Sequence, residues 1–510
     1  MPEVCLLFSK EVLATDENLL HFRARLVAIR FPSGCPYHPA LHVHRCLLSL
    51  SVCARHADAL AVSIANMELE NTGNDILNVF GAGSPEASEA ASNFSQATKD
   101  FVGISIHCAA TSSLCNTPHG DAHDSHSFPF RAFGPGEQGY VQQLQAYDTA
   151  FADFFTRLTN DGITAANTLF IVTADEGDHF AGGTPINPGC NGSAGNYCTY
   201  NLNNSALNAN SIGEIDTNIQ SLLGAVDPTL NFNNTPFDIH FDMAPAFYIS
   251  GQPATGSAIA RQFELDCAKL TALNPISGHT DQLMRYLVDT PGLGFLHMVT
   301  GDPLRTPTFI LFGDPDYYFE TYGPDLAVND GFAWNHGGVA PEINRTFLGI
   351  VGPGVKAGGV ESDLFTDHVD TRPTMLALLG LRDDYESQGR TIAEVLQPWV
   401  QPSGIQESGE NFADLAHAYK LINAPTGPVG LAVLRISTRA LKGDAETYSS
   451  LDAKIAQITE TRNALAEQMS DELNAAEFHG HHISNTRAAA LISAANALAE
   501  YVNSLAEEDE

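Results

Sequence analysis

The sequence predicts an α/β protein with a mostly parallel central sheet flanked by helices, followed by a C-terminal helical hairpin. Three observations predict it. The stretch from Gln142 to Leu158 places Leu144, Tyr147, Phe151, Phe154, Phe155 and Leu158 at three-and-four spacing; after a short polar turn, Leu169 to Val172 forms a continuous apolar run, the order of a helix feeding a buried strand. A second apolar run, Phe347 to Val351, leads into Gly352, Pro353 and Gly354. From Leu451 onward, Ile455, Ile458, Leu465, Met469 and Leu473 keep helical spacing; His479, Gly480 and His481 interrupt it, and the stretch from Arg487 to Leu505 resumes it with Ala, Leu and Ile on one face.

The bulk numbers set the function classes. The chain has 510 residues, 44% of them apolar and 17% charged, enough to bury a substantial core. No uninterrupted apolar stretch has the roughly 18 residues a membrane span needs. Acidic residues outnumber basic ones 60 to 25, a net charge of -35 that repels nucleic acid backbones, so a nucleic acid partner is excluded. A protein this acidic needs a local positive charge to hold an anionic ester, and bound divalent metal supplies one.

Composition divides the chain into 1–60, 65–425 and 430–510. The first segment holds six Lys/Arg against five Asp/Glu, with Cys5, Cys35, Cys46 and Cys53 and no sustained periodicity, and is expected to be an atypical leader outside the fold. Its Cys and His spacing matches no zinc finger. Cys108 with Cys115, and Cys190 with Cys198, are close pairs in polar stretches, as expected of two disulfide-closed loops in an oxidising compartment. Residues 1 to 30 mix acids and bases without an apolar run and a small-residue cleavage site. The expected location is therefore extracellular or periplasmic, with no signal peptide in this chain.

The strand from Thr168 to Thr173 opens directly on Ala174, Asp175, Glu176, Gly177, Asp178 and His179, and the carboxyl end of a strand is where open α/β sheets hold ligands. Gly182 to Pro236, rich in Asn, Gly, Ser and Thr, is expected to be a long insertion over the site. Phe309 to Phe312 adds a strand, with Asp314 and Asp316 as turn residues. Trp334, Asn335, His336, Gly337 and Gly338 precede the second apolar run. Downstream, Asp370 is a helix N-cap, Pro373 lies in the first turn and Gly380 ends the helix, so Asp367, His368 and Asp370 are assigned mainly to structure.

Taken in order, the segment DAHDSHSFPFRAFGPGE, a helix, TLFIVTADEGDHF, and much later AWNHGG before a strand ending GPGVKAGG resemble the alkaline phosphatase superfamily, over about residues 67 to 400. The likeness is to its phosphodiesterase and nucleotide pyrophosphatase branch, while the Asp-Glu pair resembles the phosphoesterase family of acid phosphatases and phospholipases C. The resemblance implies a metal-dependent phosphoric ester hydrolase, with 65–425 as its incomplete metallohydrolase domain. Asp121 or Asp124, His126 and His336 would hold one metal, and Asp175 with Glu176 would help hold a second. Two divalent ions are implied, zinc first, with calcium, manganese or magnesium as alternatives. The partner implied is a small-molecule phosphate ester. No Ser or Thr in the family's nucleophile context stands upstream of Asp121, so the catalytic nucleophile is unassigned, and a non-catalytic relic or binding protein is the alternative.

Overall fold

The computed structural model describes residues 133–200, 212–228, 236–329, 332–382, 385 and 387–507, together with the backbone of Arg25–Arg30. These fall into two compact units. One contains the described residues up to Glu214 with Asn329–Trp334 and Arg345–Val355; the other contains Ile215–Val328, Asn335–Asn344 and Lys356–Glu510.

In the first unit, the helix Gln138–Asn160 turns Phe154 and Leu158 toward Ile163, Phe170 and Val172, and this small cluster joins the helix to the strand Thr168–Thr173. Leu169 and Ile171 alternate with Phe170 and Val172 and are also buried, so the strand is covered on both faces. The expectation of a mostly parallel central sheet is overturned here. Arg25–Arg30 and Leu348–Val351 flank this strand on its two sides, and both run antiparallel to it, in a sheet of three strands. A continuous apolar run signals a middle strand, and a middle strand can have neighbours of either direction, so burial alone did not specify parallel pairing. The Phe347 to Val351 run is likewise an edge rather than a buried strand: Phe347 and Val351 are each 54% exposed.

The second unit is built on a four-stranded sheet in the order Phe237–Ile239, Ala246–Ile249, Phe309–Gly313, Met284–Asp289, antiparallel throughout. Phe309–Gly313 is buried along its whole length, with Phe309 stacked on Phe247 at 4.4 Å between ring centres. A parallel pairing does occur beside it, Tyr317–Glu320 against Glu214–Asn218, in a sheet of three short strands. The described residues thus form sheets of two to four strands, mixed or antiparallel.

Against the four-stranded sheet lies a helical layer. The helix Pro428–Lys442 packs on Met284–Asp289 and on Ala445–Phe478. Pro428 opens it with a preset φ, Val429, Ala432, Val433, Ile436 and Ala440 form its buried face, and Arg439 and Lys442 sit in the last turn where the helix dipole favours cations. Ala445–Phe478 spans 34 residues and is capped by Asp444, whose side chain accepts the Thr447 N–H at 2.9 Å. Its buried stripe of Leu451, Ile455, Ile458, Leu465, Met469 and Leu473 joins Asn485–Glu507 and Glu410–Asn423 in the same core as the sheet. Gly430 admits the chain reversal before Pro428–Lys442: a Cβ there would lie 1.8 Å from the Pro425 carbonyl oxygen. Gly430→Ala is therefore expected to destabilise this unit by about 1–3 kcal/mol, read as an earlier thermal transition; an unchanged transition would mean that the 425 carbonyl moves freely. Among the described residues, no helix is long and apolar enough to cross a membrane.

Candidate functional site

Past Thr173 the chain leaves the core in one step. Ala174 is buried, Asp175 is exposed, and Glu176, Asp178 and His179 are half-buried. The Thr173 hydroxyl donates to the Phe347 carbonyl at 2.6 Å, fixing the strand end against its antiparallel neighbour, and the Glu176 N–H donates to Asp175 Oδ1 at 3.2 Å. Two consecutive acidic residues thus follow a buried strand, one of them open to solvent. Oxygen donors of this kind suit a divalent cation.

After this acidic run, Phe180 packs against Tyr200 and Trp334, and the indole N–H of Trp334 donates to the Phe133 carbonyl. Cys190 and Cys198 form a disulfide within the expected insertion. The loop it closes is pinned to residues 134–137: the Cys198 N–H donates to the Gly136 carbonyl at 2.8 Å, and the Tyr200 hydroxyl donates to the Pro135 carbonyl at 3.0 Å. Burial, with the nearby charge of Glu137, pushes the Tyr200 hydroxyl up to about 12, so it remains a donor at any ordinary pH. The other expected pair, Cys108 and Cys115, lies outside the described residues.

In the second unit, His336 is held through its backbone. Its N–H donates to Asn335 Oδ1, and buried Asn335 donates in turn to the carbonyls of Pro315 and Tyr317, each at 3.0 Å. Gly337, at φ +89°, brings the backbone against Asp242, whose Oδ1 would lie 2.2 Å from a Cβ at that position. Asp242 accepts the Ala244 N–H and stands 3.8 Å from His240 Nδ1. Asp242 therefore adjoins the His-Gly segment, with His240 beside Asp242, and neither was assigned from the sequence. The signal available was a His-Phe-Asp triplet just ahead of an apolar strand, a weak pattern without its partner. Asp314, by contrast, is a turn residue that accepts the Asp316 N–H and pairs with Arg285 at 2.6 Å.

Of the six residues assigned to metal, Asp175 and Glu176 are neighbours at the strand end, and His336 belongs to the second unit. Asp121, Asp124 and His126 lie outside the described residues. Among the described residues, no three His, Cys, Asp or Glu side chains gather into a metal-binding group. No protein-family model, no curated protein and no solved structure matches the chain.

Proposed function

We propose that this chain is a metal-dependent phosphoric ester hydrolase acting on small-molecule phosphate esters, of the lineage its ligand order resembles. The observation that carries the reading is the acidic run after the buried strand Thr168–Thr173, where consecutive Asp175, exposed, and Glu176, half-buried, offer oxygen donors of the kind a divalent ion takes. By that resemblance, Asp121 or Asp124, His126 and His336 would hold one divalent ion, and Asp175 with Glu176 would help hold a second. The bound ions would supply Lewis-acid stabilisation of the phosphoryl oxygens and lower the pKa of bound water. A net charge of -35 adds support, because an anionic ester approaches such a surface only where cations offset it. The Cys190–Cys198 bridge is compatible with an extracellular location, and we place the activity there or in a periplasm.

A second reading, a binding protein that keeps these ligands without turnover, is favoured by one observation: the residues before Asp121 offer no Ser or Thr in a nucleophile context. Metal content and hydrolysis of p-nitrophenyl phosphate and its bis-ester, in the native chain and in Asp175→Ala with Glu176→Ala, separate the two. The hydrolase reading expects turnover that chelation stops and that the double substitution lowers by more than about a hundredfold, since loss of ligands exceeds the effect of losing their supporting partners. Bound metal without turnover selects the binding protein. A chain that binds no metal refutes both.

A further inference from the structure

We propose that Asn191 is an acceptor for an N-linked glycan. The inference rests on export and not on the hydrolase reading. Asn191, Gly192 and Ser193 form an Asn-x-Ser triplet whose middle residue is not proline, the pattern that oligosaccharide transfer requires. The sequence holds five such triplets, at Asn93, Asn191, Asn203, Asn233 and Asn344, of which those at Asn191 and Asn344 lie among the described residues. Asn191 is singled out by its surroundings. It follows Cys190 directly, inside the loop closed by the Cys190–Cys198 disulfide, so the bond that marks an oxidising compartment and the acceptor that a secretory compartment modifies occupy the same loop.

The geometry of the loop leaves one end of the side chain available. Asn191 Oδ1 accepts the Ser193 N–H at 3.0 Å, the Ser193 hydroxyl at 2.6 Å and an Asn196 amide N–H at 3.1 Å, which fixes the carboxamide orientation. Its Nδ2 donates to none of the described residues, and Asn191, Ser193, Ala194, Gly195 and Asn196 are all exposed. A turn with Asn196 N–H on the Ser193 carbonyl at 2.8 Å, and Gly192 and Gly195 at φ +71° and +85°, hold the loop in this shape. A glycan on Nδ2 would break none of these contacts. It would project from a loop fastened at its base to Gly136.

In the transfer, Nδ2 attacks the anomeric carbon of an oligosaccharide carried on a polyprenyl diphosphate. The carbon–nitrogen bond forms as the carbon–oxygen bond to the diphosphate breaks. Polyprenyl diphosphate leaves with the electron pair, the amide gives up one proton to base, and no oxidation state changes. The product keeps the Asn191 carboxamide with one N–H replaced by the sugar.

The test is peptide mass spectrometry on the full chain, secreted from a eukaryotic host behind a cleavable leader and carrying a C-terminal acceptor tag. Chains are captured through the glycan on that tag, so every molecule examined has met the transferase. Release with peptide N-glycosidase in heavy-oxygen water marks each occupied asparagine, and a sample without enzyme gives the background from spontaneous Asn-Gly deamidation. The expected result is enzyme-dependent labelling of Asn191 in most captured chains, kept in Ser193→Thr and lost in Ser193→Ala. Captured chains with bare Asn191 overturn the proposal, as does labelling that persists in Ser193→Ala. The readout is a peptide mass, so a folding defect in a variant does not obscure it.

Discussion

Replacing Lys420 by methionine is expected to lower the stability of the helical layer by about 3–5 kcal/mol at pH 8, and by clearly less at pH 5. The Lys420 ammonium is 3% exposed and lies 2.7 Å from Asp367 and 2.8 Å from Asp370, whose carboxylate is wholly buried. Asp370 also accepts the backbone N–H groups of Asp367 and Arg390 at 3.1 and 2.9 Å, which hold the turn before the helix Thr371–Leu379. Burial pushes the Asp370 carboxyl above its ordinary range while Lys420 pulls it down, so removing Lys420 leaves the upward push unopposed by its nearest cation. A group with a raised folded-state pKa contributes stability at low pH and loses it as pH rises through that value, which is why the variant should suffer most on the basic side. Hydrogen exchange of the Glu410–Asn423 helix across urea concentrations would measure the loss. A triple variant that adds Asp367→Asn and Asp370→Asn should recover most of it. A Lys420→Met chain as stable as the parent at pH 8 would show that the pair sits in water.

The second large effect is expected at Asp289. Its Oδ2 accepts the Tyr448 hydroxyl at 2.9 Å, its Oδ1 has no hydrogen-bond partner among the described residues, and Glu264 and Asp452 lie close enough to raise its charge cost. Burial first, and then those two carboxylates, push Asp289 up to about 7 from 3.8. Arg261 offsets part of the cluster: it pairs with Glu264 and lies over the Tyr448 ring. The folded state therefore binds a proton that the unfolded chain has released between about pH 4 and 7, and stability falls through that window as pH rises. Glu477, pushed up to about 8 by burial, adds a fall of the same sign extending to higher pH. Asp289→Asn keeps the acceptor for Tyr448 and removes the ionisation. Its stabilising effect should be about 2–3 kcal/mol larger at pH 8.5 than at pH 5, because roughly two of the three shifted units lie above pH 5. Equal effects at both pH values would place the raised group elsewhere.

Local rules made part of this fold legible. The helix Gln138–Asn160 and the strand Thr168–Thr173 follow from spacing and from an uninterrupted apolar run, and the Asp370 and Gly380 positions mark the ends of Thr371–Leu379. Strand direction was not legible. It depends on which distant segments lie beside Thr168–Thr173, and Arg25–Arg30 and Leu348–Val351 come from far along the chain. Nor could spacing distinguish a covered face from an open one, since Leu144, Phe151 and Phe155 keep the helical rhythm yet remain 36–48% exposed. At the candidate site, only the adjacency of Asp175 and Glu176 is a property of sequence. The approach of Asp242 to Gly337, like the Lys420 pairing with Asp367 and Asp370, unites residues that no local pattern connects.

Cys267 closes the helix Ala258–Cys267 in the middle of the core, fully buried, with burial and the charges of Asp266 and Glu264 pushing its thiol well above the ordinary range. Alkylating reagents attack the thiolate, so in the native protein this sulfur is protected both by access and by protonation. That makes it a clock built into the core. The rate at which a reagent in excess reaches the Cys267 peptide counts openings of the sheet and helical layer that surround it, without any added probe.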